Sequence, residues 1–401
     1  MIAADRAIQR SPRARLLLIG ADGAIADVPR SRFVDLLRRG DLVVANDAAT
    51  FPASLHGVHE RTGSPVEVRL AGRASLNSED VRAFTAVLFG AGDYRTRTED
   101  RLLPPPIQRG DRLQLGPLEA TIVGWLDHPR LAALQFDGTP EIIWDGLARH
   151  GRPIQYAHVT APLELWDVWT PIAGPPAAFE PPSAGFVLDW RSIRAMRDRG
   201  IGFVTLTHAA GISSTGDDEL DRRLPLDEPY HIPEATAAAI RQTRAGGGRI
   251  VAIGTTVVRA LENAAARDGA HGVVRAGDGV ATGRIGPATR LRVVDAILSG
   301  THEAGSSHYE LLRAFADDET LARANAALEA RGYRTHEFGD SVLIERRRKC
   351  VRLRLPAHRA GREFRCTPGF SRVRPASRSF SRRLLHRRSS RRIRTSPSPD
   401  R

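Results

Sequence analysis

The chain has 401 residues, with 59 Lys and Arg against 46 Asp and Glu, a formal charge of +13. Residues 346–401 hold 20 of the basic residues and only two acids, Glu363 and Asp400, so residues 1–345 carry 39 basic against 44 acidic groups, net −5. Both cysteines, Cys350 and Cys366, and the sole lysine, Lys349, lie in that tail, which excludes from the body a cysteine nucleophile, a thiolate metal site, a Schiff-base lysine and a P-loop lysine.

The longest early apolar run, Leu16 to Ile19, is too short for a signal-peptide core or a membrane span, so a cytoplasmic protein without membrane contact is expected. Leu42-Val43-Val44-Ala45 is apolar at every position and predicts a strand covered on both faces. From 55 to 152, short alternating segments such as Val66 to Leu70 and Ala120 to Val123 are separated by Gly, Pro and Asp turns, the pattern of a small antiparallel barrel or sandwich. His56 and His59 in this stretch read as surface residues.

From 153 onward strand and helix patterns alternate. We read a helix over 191–199 ended by Gly200, a strand over 203–206, and a helix from Pro233 to about Arg244. Next come a strand over 249–253, a helix over 256–267 and a strand over 290–294. A last helix starts at Ser307, with Glu310 completing a capping box. The fold class that follows is an α/β core, a barrel-like mixed sheet with helices, carrying an inserted small antiparallel all-β domain. Its parts are residues 1–54 and 153–345 for the core and 55–152 for the insertion. The tail, 346–401, has 15 apolar residues in 56 and is expected to be disordered. A genuine extension and a read-through in another frame of a GC-rich gene both account for its composition.

The sharpest local feature is the strand, turn and helix start of Arg249-Ile-Val-Ala-Ile-Gly-Thr-Thr-Val-Val-Arg-Ala-Leu-Glu262. Free N–H groups and two hydroxyls at a helix start attract a carboxylate or phosphate; equally, Thr255 or Thr256 can simply cap the helix. Arg259 and Glu262, three apart, can form an exposed pair of little consequence. His302 and His308 are six apart across a Gly/Ser loop and so share no helical face. No metal site is expected.

Ile253 to Glu262 resembles a hallmark stretch of the S-adenosylmethionine:tRNA ribosyltransferase-isomerase family of queuosine biosynthesis. Further likenesses follow in order: Pro12 to Leu17, Gly40 to Asp47, Pro52-Ala53, Pro182-Ser183-Ala184-Gly185, Glu228 to Glu234, Arg292 to Asp295 through His302, and Gly339 to Ile344. The resemblance implies a ribosyl transfer and isomerisation from S-adenosylmethionine, the co-substrate, onto 7-aminomethyl-7-deazaguanine at the wobble position of a tRNA anticodon arm. Adenine and methionine would leave, and epoxyqueuosine would form, with no further cofactor. It further implies proton transfer by Glu228, Asp295 or His302, and substrate binding by Asn46, Asp47, Ser183, Gly185, Tyr230, Gly254, Thr255, Thr256, Arg259 and Ser306. The chain departs from the family at polar positions. Ala48-Ala49 stand for Thr-Arg, Phe186-Val187-Leu188 for Leu-His-Phe, and Ala304-Gly305-Ser306 for Pro-Lys-Ser, while His208 comes one place late. Two other readings therefore stand beside the family activity: a diverged paralogue acting on another S-adenosylmethionine-like or nucleotide ligand without tRNA, and a non-catalytic RNA-binding protein using the basic tail.

Overall fold

The structure, a computed structural model, describes residues 1–266 and 272–347. Of the tail expected to be disordered, 346–401, residues 348–401 lie outside the described residues, whereas Arg346 and Arg347 are bonded to the body through the Asp295 and Phe315 carbonyls at 2.8 and 3.1 Å. At the centre lies a nine-stranded mixed sheet. Its strands run, edge to edge, Gly277–Ala281, Glu228–Ile232, Gly202–His208, Leu42–Asn46, Ile250–Ile253, Ala296–Gly300, Ser341–Glu345, Arg15–Ile19 and Ile25–Pro29. The four from Gly202–His208 to Ala296–Gly300 are mutually parallel.

Strand Leu42–Asn46 shows why an unbroken apolar run suits this place. Leu42 and Val44 belong to the core under helices Glu234–Ala245 and Thr255–Ala266, whereas Val43 and Ala45 pack on the opposite face with Phe33, Leu188 and Met196. A strand has a side-chain period of two, so covering both faces requires apolar residues at consecutive positions. The amino-terminal edge of the parallel strands is tied by charge. Arg249 bonds Asp41 and Glu345, each at 2.5 Å. Asp295 accepts from the Ile250 N–H at 3.1 Å and from Arg346 at 2.8 Å.

Between Leu42–Asn46 and Gly202–His208 the chain builds a closed six-stranded antiparallel barrel from Ser54–His59 to Leu131–Phe136. Helix Pro140–His150 follows it, with Pro140 in the first turn, so the segment read as all-β also holds one helix. Ile143 and Leu147 of that helix join the barrel core. His59, read as a surface residue, is fully buried and bonded to Asp111 at 2.8 Å and Thr62 at 2.9 Å. Two expectations further on shift. Residues 292–294 are not a strand, because their N–H groups bond the Glu262 carboxylate at 2.6–2.9 Å rather than a neighbouring strand; the strand is Ala296–Gly300. Helix Ser307–Leu312 is capped by Ser306, which accepts from the Tyr309 N–H at 3.2 Å, and it is not the last: Asp318–Ala330 follows. Among the described residues no helix is long and apolar enough to cross a membrane.

The barrel core contains a buried carboxylate. Glu67 accepts from the Ser54 hydroxyl at 2.8 Å and from Arg69 at 2.8 Å, and also pairs with Arg101; all three charged groups are buried. Burial alone would raise its pKa, but the two guanidiniums outweigh that and hold the carboxyl at about 2. Removing one member of such a cluster leaves buried charge uncompensated, at a cost of about 3–5 kcal/mol. Glu67→Gln should therefore lower unfolding free energy by about that amount, read from the urea midpoint at pH 7; a loss under ~1 kcal/mol would mean the cluster is not the barrel's anchor.

Candidate active site

Strands Leu42–Asn46 and Ile250–Ile253 are neighbours, yet the sheet continues from them in opposite directions, to Gly202–His208 on one flank and Ala296–Gly300 on the other. At such a switch point the connections leave a crevice beyond the carboxyl ends of the strands. A cavity of about 380 Å³ lies there, lined by Glu180, Ser183, Glu228, Gly254, Thr255, Thr256, Arg259, Arg284, Ser299, His302 and His308 among others.

Gly254 makes the turn from strand to helix at φ +93°, a conformation that costs glycine nothing and strains any other residue. Helix Thr255–Ala266 begins immediately after it, so the positive end of the helix opens on the cavity. One turn on, Arg259 is buried and ion-paired to Glu228, and also donates to the carbonyls of Ala281 at 2.8 Å and Leu226 at 3.1 Å. Glu228 accepts in addition from the Gly211 N–H at 2.6 Å. Arg259 and Glu262 are thus not an exposed pair: both are buried, and each serves a different part of the fold.

Of the three acid–base candidates, Glu228 and His302 line the cavity and Asp295 does not. Asp295 stands before strand Ala296–Gly300 at the opposite, amino-terminal edge, engaged with Ile250 and Arg346. Ser183, Gly254, Thr255, Thr256 and Arg259 also line the cavity. Asn46, Asp47, Gly185, Tyr230 and Ser306 lie outside its wall. Asn46 clamps the ends of two strands, donating to the His208 carbonyl and accepting from the His208 N–H, both at 2.9 Å. Asp47 accepts from the Thr205 and Thr207 hydroxyls, each at 2.6 Å. Gly185 packs against Thr170, Tyr230 donates to Asn263 at 3.0 Å, and Ser306 caps its helix.

Three cavity residues carried no motif signal. Glu180 is buried, accepts from the Tyr156 hydroxyl and from the Ser213 N–H at 3.0 Å, and is pushed up to about 7 by burial and then by the negative charge of Glu337. His308 stacks on His302 with ring centroids 4.7 Å apart and planes at 13°. The loop between them brings together two rings that no single helix would. Ser299 lies 2.8 Å from the His302 Nε2. Burial, then the neighbouring His308 and His336, drive the pKa of His302 well below the ordinary histidine value, so at neutral pH it is uncharged. His158, His336 and Glu337 place three ligand atoms within 4.8 Å of one another, the one such trio among the described residues. The two imidazoles lie nearly parallel, 20° between planes at 4.2 Å, so their in-plane lone pairs do not converge on one point.

Fold and site together define an open-sheet α/β protein with an inserted barrel and a ligand cavity at the switch point. The chain belongs to the family described as queuosine biosynthesis protein, whose profile matches residues 1–344. It is 33% identical over 361 residues to the S-adenosylmethionine:tRNA ribosyltransferase-isomerase of Sorangium cellulosum (strain So ce56), covering 85% of this chain and 94% of that one. It is 33% identical over 339 residues to the enzyme of the same name from Thiobacillus denitrificans (strain ATCC 25259 / T1), covering 83% and 90%. The solved S-adenosylmethionine tRNA ribosyltransferase of Thermotoga maritima aligns at 22% identity and a TM-score of 0.45, over 86% of this chain and 96% of that one.

Glu180 gives the site a stability signature. Its carboxyl is held at about 7 in the fold against an ordinary value of 4.5. Below 4.5 both states are protonated and nothing is lost; as pH rises to 7 the unfolded chain ionises first, and the fold loses up to ~3 kcal/mol. Glu180→Gln should match the wild type at pH 4.5 and exceed it by up to ~3 kcal/mol at pH 8, in urea unfolding at the two pH values. An equal difference at both would show that the Glu180 carboxyl does not titrate in this window.

Proposed function

We propose that this protein transfers and isomerises the ribosyl group of S-adenosylmethionine onto 7-aminomethyl-7-deazaguanine in a tRNA anticodon arm, releasing adenine and methionine and forming epoxyqueuosine. The observation that carries the reading is the cavity itself. A helix start suited to a carboxylate and an uncharged histidine suited to proton removal face one space, in a chain matched to the queuosine family from residue 1 to 344.

In this reading the N–H groups at the start of helix Thr255–Ala266, with the Thr255 and Thr256 hydroxyls, take the methionine carboxylate. His302, oriented by Ser299, accepts the proton released next to the sulfonium. Glu180, with a pKa near neutrality, returns a proton to the departing adenine. Glu228 is neutralised by Arg259 and shapes the wall rather than moving protons. Asp295, at the far edge of the sheet, supports the strands.

One observation favours the second reading, a paralogue with another nucleotide-like ligand. Ala48, where the family usually has a polar residue, is buried with Ala177, Ala178 and Ala210 in an alanine cluster, and Ala210 reaches the cavity wall. The two readings separate in one assay: S-adenosylmethionine supplied with and without tRNA bearing the modified base, with adenine and methionine quantified. The transferase reading expects release that requires the tRNA and falls about 10²–10⁴-fold in His302→Ala. Release no higher than the tRNA-free blank, together with tight binding of S-adenosylmethionine alone, would favour the paralogue.

A further inference from the structure

Three of the five tryptophans lie at the surface: Trp190 is 72% exposed, Trp166 70% and Trp169 41%. The indoles of Trp166 and Trp190, so open to water, have no folding role that explains them, and unpaired nucleic-acid bases are among the ligands that use such faces. Contacts bring the three onto neighbouring segments. The Gln9 side-chain amide donates to the Asp167 and Trp169 carbonyls, both at 2.8 Å, which fixes residues 9–10 against the Trp166–Trp169 turn. Asp189 caps helix Trp190–Asp198, and Phe186, three residues before it, shares an apolar cluster with Val168 of that turn.

Basic residues are concentrated in the same segments. Segments 6–13 and 190–198 together carry six arginines against one aspartate, in a body of net −5. Asp167 and Asp189 beside them are engaged at helix starts, accepting N–H bonds at 2.9 and 2.6 Å. The segment adjoins the cavity through one turn: Ser183 and Ala184 line the cavity, while Phe186 lies in the apolar cluster that holds Val168, next to Trp169.

We infer that Trp166, Trp190, Arg10 and Arg191 form a docking surface for the single-stranded loop of an RNA, with bases stacking on the two indoles and phosphates meeting the two arginines. The assignment rests on the tRNA reading above and adds to it the surface along which the loop approaches the cavity. Stacking on an exposed ring tolerates any base, whereas arginine-to-phosphate contacts make binding salt-dependent. A protein partner would not need the cationic segregation that flanks these rings.

The test is anisotropy of a labelled anticodon stem-loop RNA with the full chain, in the presence of excess heparin to suppress charge-only binding by the basic tail. Trp169 is left unchanged because its indole N–H donates to the Thr50 carbonyl at 3.0 Å. Trp166→Ala and Trp190→Ala should each weaken binding roughly 5- to 150-fold. Arg10→Ser with Arg191→Ser should lower the slope of log affinity against log salt by about 0.7–0.9 per arginine. Melting temperatures equal to wild type confirm that the variants are folded. Wild-type binding that all four substitutions leave unchanged would overturn the docking surface while sparing the tRNA reading. Wild-type protein that shows no heparin-resistant RNA binding would overturn both, and substitutions that alter self-association but not RNA binding would reassign the surface to a second copy of the chain.

Discussion

Arg259 and Glu262, one turn apart on a helix that is buried almost all round, hold together the parts of this molecule that form its cavity. Arg259 pairs with Glu228 and binds carbonyls at the ends of both edge strands, Leu226 before Glu228–Ile232 and Ala281 of Gly277–Ala281, while Glu262 gathers the N–H groups of residues 292–294 just before strand Ala296–Gly300. Burial depresses Arg259 to about 10, so it remains charged at neutral pH. A buried pair of this kind contributes little net stability over an apolar substitute, but leaving either charge alone is costly. Its consequence is geometric: the cavity wall cannot move without breaking it.

The sheet's two edges divide the work. At the amino-terminal edge, Arg249, Asp41, Glu345 and Asp295 link strands through charge. At the carboxyl-terminal edge Asn46 and Asp47 tie strands together, while Glu228, Thr255, Thr256 and His302 line a cavity. The barrel takes part in this division, since its core continues through Phe51 and Phe84 to Phe179, with ring centroids 5.7 and 6.2 Å from that residue. Phe179 is the residue before Glu180, so barrel packing fixes the carboxyl that faces the cavity. Arg69 of the barrel, over the Tyr156 ring at 5.6 Å, holds the hydroxyl that binds it.

Much of this scaffold was legible in the sequence, because period and turn chemistry act locally. The unbroken run at 42–45 required a strand covered on both faces, Gly254 before two threonines required a turn and helix start, and the short alternating segments within 55–152 required antiparallel strands, though helix Pro140–His150 in that span was missed. The polar site was less legible. Glu180, Tyr156 and Ser213 are brought together over long stretches of chain by aromatic packing that leaves no local spacing, and His302 meets His308 only because a Gly/Ser loop folds back. The strand placed at 290–294 failed for a similar reason. Its apolar residues suit a ladder, but a carboxylate from another helix takes their N–H groups first.

The displaced histidine at the end of strand Gly202–His208 draws these points together. A shift of one position along a strand moves a side chain to the other face. Thr205 and Thr207 turn their hydroxyls to Asp47, while His208, fully buried, sits on the opposite face behind Glu228, its Nε2 3.5 Å from that carboxylate. Neither ring nitrogen has a hydrogen-bond partner, and burial, then Arg259, keeps the ring uncharged. An imidazole one place earlier would have faced Asp47; here it backs the Glu228–Arg259 pair instead. With that histidine withdrawn and Ala48 packed among alanines, the ionisable groups lining the cavity are His302 and His308, both shifted toward the neutral form, the carboxyl of Glu180, the paired Glu228 and Arg259, Glu310 paired with Arg313, and Arg284. The fixed polar groups of the cavity are thus set by long-range packing and pairing rather than by the motif positions at which the chain departs from its family.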